Sequence, residues 1–182
     1  SDFIISIGKK YMGGDLLNLL KQPYDECAPQ GRCFDFPWGS MAVLEDRLAD
    51  NNNIIDSDGV VFAWVGDLVT DMSEEFVDAL KGRIEQIRNC QANSDISIES
   101  DDIFKKLNGA FVIIVINKHG FSIITDPMNF TPVYMGSDTC NKIISFGTHS
   151  DLVSMISTEV FDIDIVSACE FLNKGALNFP NT

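Results

Sequence analysis

The sequence predicts a layered α+β domain, with sheets covered by helices. Two observations carry this. Residues 3–7 and 60–65 are apolar almost throughout, and strands of that kind need cover on both faces. Between them and a later set of strands, residues 71–90 place Phe76, Val77, Leu80, Ile84 and Ile87 on one face at helical period.

Taken in chain order, residues 3–7 (FIISI) form a strand that ends at Gly8. Residues 11–21 form a helix carrying Leu16, Leu17, Leu19 and Leu20. Residues 22–40 hold Pro23, Pro29, Pro37, Gly31 and Gly39 and read as loop with short extended pieces. A strand at 41–44 leads into Glu45-Asp46-Arg47-Leu48-Ala49, and the polar run 50–59 reads as an exposed turn. After the strand at 60–65, the helix over 71–90 opens with Asp71 and Glu74 at capping-box spacing. A polar linker spans 91–100. Ser100 then caps a short helix to Leu107, which Asn108-Gly109 stops. Residues 110–116 and 121–125 make a hairpin through a glycine-containing turn. Asp126 and Pro127 shape the next turn, strands follow at 132–136 and 142–146, and a final helix covers 164–173.

Composition excludes several classes of function. An apolar fraction of 45% over 182 residues supports a full core and rules out a disordered chain. A net charge of −14 repels nucleic acid and anionic membranes and favours basic partners. No apolar run approaches the roughly 20 residues that span a bilayer. No basic stretch precedes the first apolar residues, so they do not read as a signal peptide. The cysteines Cys27, Cys33, Cys90, Cys140 and Cys169 are dispersed and odd in number. They fit free thiols in a reducing cytoplasm, buried as small hydrophobes. Phosphate-loop and dinucleotide motifs are absent. His119 falls in a hairpin turn, exposed to solvent. His149 has Ser150 and Asp151 as sequence neighbours, but adjacent residues rarely converge into a triad.

Residues 107–152 carry a resemblance. Leu107, Gly109 and Phe111, then Asp126, Pro132, Val133 and Tyr134, then Phe146, Thr148 and Leu152 follow a known order and spacing. That pattern resembles Leu-x-Gly-x-Phe, a hairpin, Asp-x-x-Gly-x-x-Pro-Leu-Tyr and Phe-Ala-Ser-Glu of the asparagine synthetase family. Upstream, Arg47-Leu48-Ala49 and Val65-Gly66-Asp67 are similar to its Arg-Leu-Ser/Ala and Asn-Gly-Glu. The resemblance implies a class II glutamine amidotransferase domain over residues 1–182. Its expected fold is the four-layer α/β/β/α sandwich of N-terminal-nucleophile hydrolases. A connection toward a synthetase half would start near 174–182.

In that family a terminal cysteine attacks the glutamine amide, with its own α-amino group as base. Ser1 stands in that slot; the other reading is an ordinary first residue. Arg47 matches the arginine that grips the glutamine carboxylate, or else pairs with Glu45, Asp46 or Asp50. Val65 replaces the asparagine of the oxyanion hole. Gly66 keeps a backbone N–H there, or is a turn glycine. Asp67 replaces a glutamate, or caps the turn before the helix. Ser94-Asp95 and Ser100-Asp101-Asp102 are imperfect matches to the segment that holds the glutamine amino group.

The resemblance therefore implies a degenerate glutaminase-like domain of an ATP-dependent amide-bond-forming enzyme, similar to those of β-lactam synthetase and lasso-peptide macrolactam synthetase. The partner is a synthetase half, covalently linked or separate, and a peptide or small molecule is a further candidate ligand. This domain needs no cofactor or metal. ATP and Mg belong to the synthetase half, whose Ser-Gly-Gly-x-Asp-Ser signature this chain does not contain. The alternatives are an active amidohydrolase using Ser1 and a stand-alone peptide- or metabolite-binding module.

Overall fold

A computed structural model describes residues 2–8, 10–27, 29–45, 53–70, 73–90 and 102–157, without the side chains of 25, 26 and 87–90. The fold is mixed α/β with two antiparallel sheets. The first has the order β2-β3-β1-β9-β8. Its strands are β1 (Phe3–Ile7), β2 (Gly31–Phe36), β3 (Gly39–Leu44), β8 (Tyr134–Asp138) and β9 (Ile143–Gly147). The second runs β4-β5-β6-β7, from Ile54–Ser57, Val60–Leu68, Gly109–Asn117 and Gly120–Thr125. The helices are α1 (Gly13–Lys21), α2 (Glu74–Cys90) and α3 (Ser150–Ser157).

Strand alternation sends side chains to two faces, and three apolar cores result. Phe3, Ile5, Met41 and Val43 of the first sheet pack with Val61, Ala63, Val65, Val112 and Ile114 of the second. On the other face of the second sheet, Phe62, Trp64, Ile113 and Val115 meet Val77, Leu80 and Ile84 of α2. On the other face of the first, Ile4, Ala42 and Leu44 meet Leu16 and Leu20 of α1 and Leu152 and Ile156 of α3.

Polar groups pin the sheets to each other at both ends. At one end the Trp38 indole donates to the Asn117 carbonyl at 3.0 Å. At the other, the buried Asn53 amide donates to the Leu44 carbonyl at 3.2 Å and the Trp64 carbonyl at 2.9 Å, one from each sheet.

Several expectations need correction. Within the expected loop at 22–40, Gln22–Cys27 is a 3-10 helix and Gly31–Phe36 pairs with β3. Pro23 falls in the first turn of the 3-10 helix, and Pro29 and Pro37 flank the strand rather than interrupt its ladder. Within the expected turn at 50–59, Ile54–Ser57 is β4, and the turn shrinks to Asp58 and Gly59, both at positive φ. Two-residue hairpin turns require that geometry. Ser73, not Asp71, is the seen cap of α2: its hydroxyl accepts from the Phe76 N–H at 3.3 Å. Asp71 itself lies outside the described residues. The expected helix to Leu107 is one 3-10 turn, Phe104–Lys106. Helix α3 was not expected at all. Cys27, Cys33 and Cys140 are free and exposed rather than buried: they sit at the end of the 3-10 helix, in an edge strand and in a turn. The helix expected at 164–173 lies outside the described residues.

Replacing Asn53 by Ala would leave the Leu44 and Trp64 carbonyls buried without that donor. We expect Asn53→Ala to lower unfolding free energy by about 2–4 kcal/mol, read by urea denaturation. A loss under about 0.5 kcal/mol would mean that the amide does not hold the sheets together.

Candidate functional site

Asn53 also defines the functional end of the molecule. Leu44, which it holds on one side, donates its own N–H to the Asp2 carbonyl at 2.8 Å. Trp64, on the other side, lies two residues before Gly66. The head of β1 and the Val65-Gly66-Asp67 segment thus sit at the same end of the two sheets.

At the head of β1 the Asp2 side chain is 15% exposed and fully engaged. The Tyr24 hydroxyl donates to one carboxylate oxygen. The Thr148 hydroxyl donates to the other at 2.9 Å, and the His149 Nε2 stands 3.3 Å from that same oxygen. The imidazole is off the hydrogen-bond axis, so its Nε2 is buried without a hydrogen bond. It is an ion-pair partner when protonated. Burial alone would raise the Asp2 carboxyl. The Tyr24 and Thr148 hydroxyls and the nearby imidazole outweigh burial and hold it below the usual carboxylate range. Burial and the same carboxylate push the Tyr24 phenol up. The cluster joins three distant parts of the chain: β1, the 3-10 helix after α1, and the junction of β9 with α3.

Gly66 lies inside β5 rather than in a turn, opposite Phe111. Its φ is +86°, and a Cβ there would fall 2.2 Å from the Ala110 carbonyl oxygen and 2.9 Å from the Thr131 hydroxyl. Only glycine fits. Val65 is buried in the core between the sheets, where it presents no donor. Asp67 is an exposed strand residue opposite Ala110, so it does not cap α2. Asp126 organises the adjoining turn, as expected. Its carboxylate accepts the N–H groups of Met128 (3.0 Å), Phe130 (3.2 Å) and Thr131 (3.4 Å). These outweigh desolvation and hold its carboxyl low.

Ser1 and Arg47 lie outside the described residues, as do Ser94, Asp95, Ser100 and Asp101. Asp102 pairs with Lys105 at 2.9 Å. His119 is exposed in its hairpin turn, as expected. His149 turns to Asp2 rather than Asp151. Sequence reading missed Asp2, Tyr24 and Thr148 as a cluster; Tyr24 and Asp2 are 22 residues apart, and no spacing rule joins them. Among the described residues no group of three His, Cys, Asp or Glu side chains could hold a metal ion, and no helix is long and apolar enough to cross a membrane.

No family model and no curated protein sequence matches the chain. Among solved structures it is similar to a glutamine phosphoribosylpyrophosphate (PRPP) amidotransferase from B. subtilis complexed with ADP and GMP. The match has 11% identity and a TM-score of 0.53, over 86% of this chain. The two share a fold. At that identity the likeness is one of fold alone. The chain spans 43% of the length of that amidotransferase.

A depressed folded pKa at Asp2 gives stability that is fully present above the unfolded value of about 3.9. It is lost as pH falls through the folded value. Asp2→Asn should therefore cost about 1–2 kcal/mol at pH 7 by denaturant unfolding, with the gap from wild type closing in strongly acidic buffer. A gap that stays constant below pH ~3 would show that the carboxylate charge is not what the cluster holds.

Proposed function

We propose that this chain is a degenerate glutaminase-like domain with the four-layer α/β/β/α order, one that no longer hydrolyses glutamine. The three cores support the layer order: α1 and α3, the five-stranded sheet, the four-stranded sheet, then α2. The observation that carries the functional reading is the head of β1. There the Asp2 carboxylate is taken up by Tyr24, Thr148 and His149. Burial of Val65 between the sheets supports the same reading, since losing one oxyanion donor costs about 100- to 1000-fold in rate.

On this reading the domain belongs to an asparagine-synthetase-like, ATP-dependent amide ligase of the cytoplasm. It covers a synthetase half, linked or separate, and helps shape entry of a peptide or small-molecule substrate. ATP and Mg act in that other half. Arg47, Gly66 and Asp67 are what remains of the glutamine pocket.

Incubation with glutamine and assay of ammonia tests the loss of hydrolysis. Release should not rise above the protein-free blank, and Ser1→Ala should change nothing. Glutamine-dependent release that disappears in Ser1→Ala would establish the active amidohydrolase instead.

A further inference from the structure

A cavity of about 420 Å³ opens on the outer face of the four-stranded sheet, beside the Asp126 turn. Phe111 and Leu107 form its buried floor, and the partly buried Phe104 and Ile124 line it further. Two polar side chains complete it, Lys105 and Thr125. Its size falls within the range of small-molecule sites, and its chemistry is that of one: apolar walls with a few polar groups.

The charge there runs against the rest of the chain. Overall, 27 acidic residues face 13 basic ones, yet the ionisable group lining this cavity is a lysine. Among the described residues Lys105 is tied to Asp102, at 2.9 Å, and both side chains are well exposed. An exposed pair of this kind is weak and exchangeable. A ligand carboxylate can take over the ammonium while its hydrocarbon body displaces water from Phe104, Leu107, Phe111 and Ile124.

We propose that this cavity binds a small amphipathic carboxylate, with an aliphatic or aromatic body on the phenylalanine-lined floor and the acid at Lys105. The site is independent of the glutaminase-like reading.

The test is titration of the whole chain with octanoate, and with octanamide as its uncharged counterpart, followed by amide NMR shifts around Phe104, Leu107 and Ile124. Saturable binding of octanoate with a Kd below about 1 mM is expected, and octanamide should bind more weakly. Lys105→Gln should weaken octanoate about 3- to 5-fold. Asp102→Asn should tighten it about 2-fold, by freeing the ammonium and removing a like charge. Thr125 is exposed, so Thr125→Trp can block the mouth without entering the core, and it should abolish binding while the far-UV spectrum stays unchanged. The proposal is overturned by shifts that do not saturate by about 5 mM. Equal affinity for octanamide, unchanged binding in Lys105→Gln, or retained binding in Thr125→Trp overturns it as well.

Discussion

The apolar seam between the two sheets is the constraint on which everything else rests. Phe3 and Ile5 from β1 and Val61, Ala63 and Val65 from β5 are removed from water only when the sheets face each other. That commits the opposite faces of both sheets to helices, because Ile4 and Phe62 also cannot stay exposed. It further sets the chemistry of one end. With Asn53 bridging Leu44 and Trp64, the head of β1 and the glycine of β5 are brought to a common edge.

A cluster of polar side chains occupies that edge. A nucleophile at the head of the strand would need a free path to substrate and an amine to take its proton. Here the first described side chain is a carboxylate that is half-buried and clasped by a phenol, a hydroxyl and an imidazole. Such an arrangement ties β1 to the 3-10 helix and to the start of α3. It is a structural clasp at the start of the strand. Next to it, Val65 contributes area to the seam rather than a hydrogen-bond donor, and Gly66 permits the close approach of Ala110.

Much of the fold was legible because it follows periodicity. The runs around Phe3 and Val60 are strands, the face of Val77, Leu80 and Ile84 is the buried side of α2, and Lys118-His119 is the hairpin turn. Elements that failed to show did so for physical reasons. Strand β4 has only Ile54 and Ile55 as apolar signal, and its pairing with β5 supplies the rest. Strand β2 carries Arg32 and Asp35 because one of its edges is free, so it lacks a core-strand composition. Helix α3 is short, and its identity rests on Leu152, Val153 and Ile156 packing against the sheet more than on its own propensity. At the site, Gly66 was expected after the strand, and its pairing with Phe111 inside β5 shows only in the fold. The Asp2 cluster was not, because its members meet only after the sheet has formed. The solved amidotransferase shares the fold of this chain, and no sequence comparison reaches the family that the motif order resembles.

The clasp on the Asp2 carboxylate at the head of β1 is what the functional reading depends on. A crystal structure of the protein grown with glutamine tests it most directly. The account requires the Tyr24 and Thr148 hydroxyls on the Asp2 carboxylate, Gly66 at the same end of the molecule, and glutamine, if bound, left intact. A carboxylate turned out to solvent, or a covalent glutamyl adduct at the start of that strand, would contradict it.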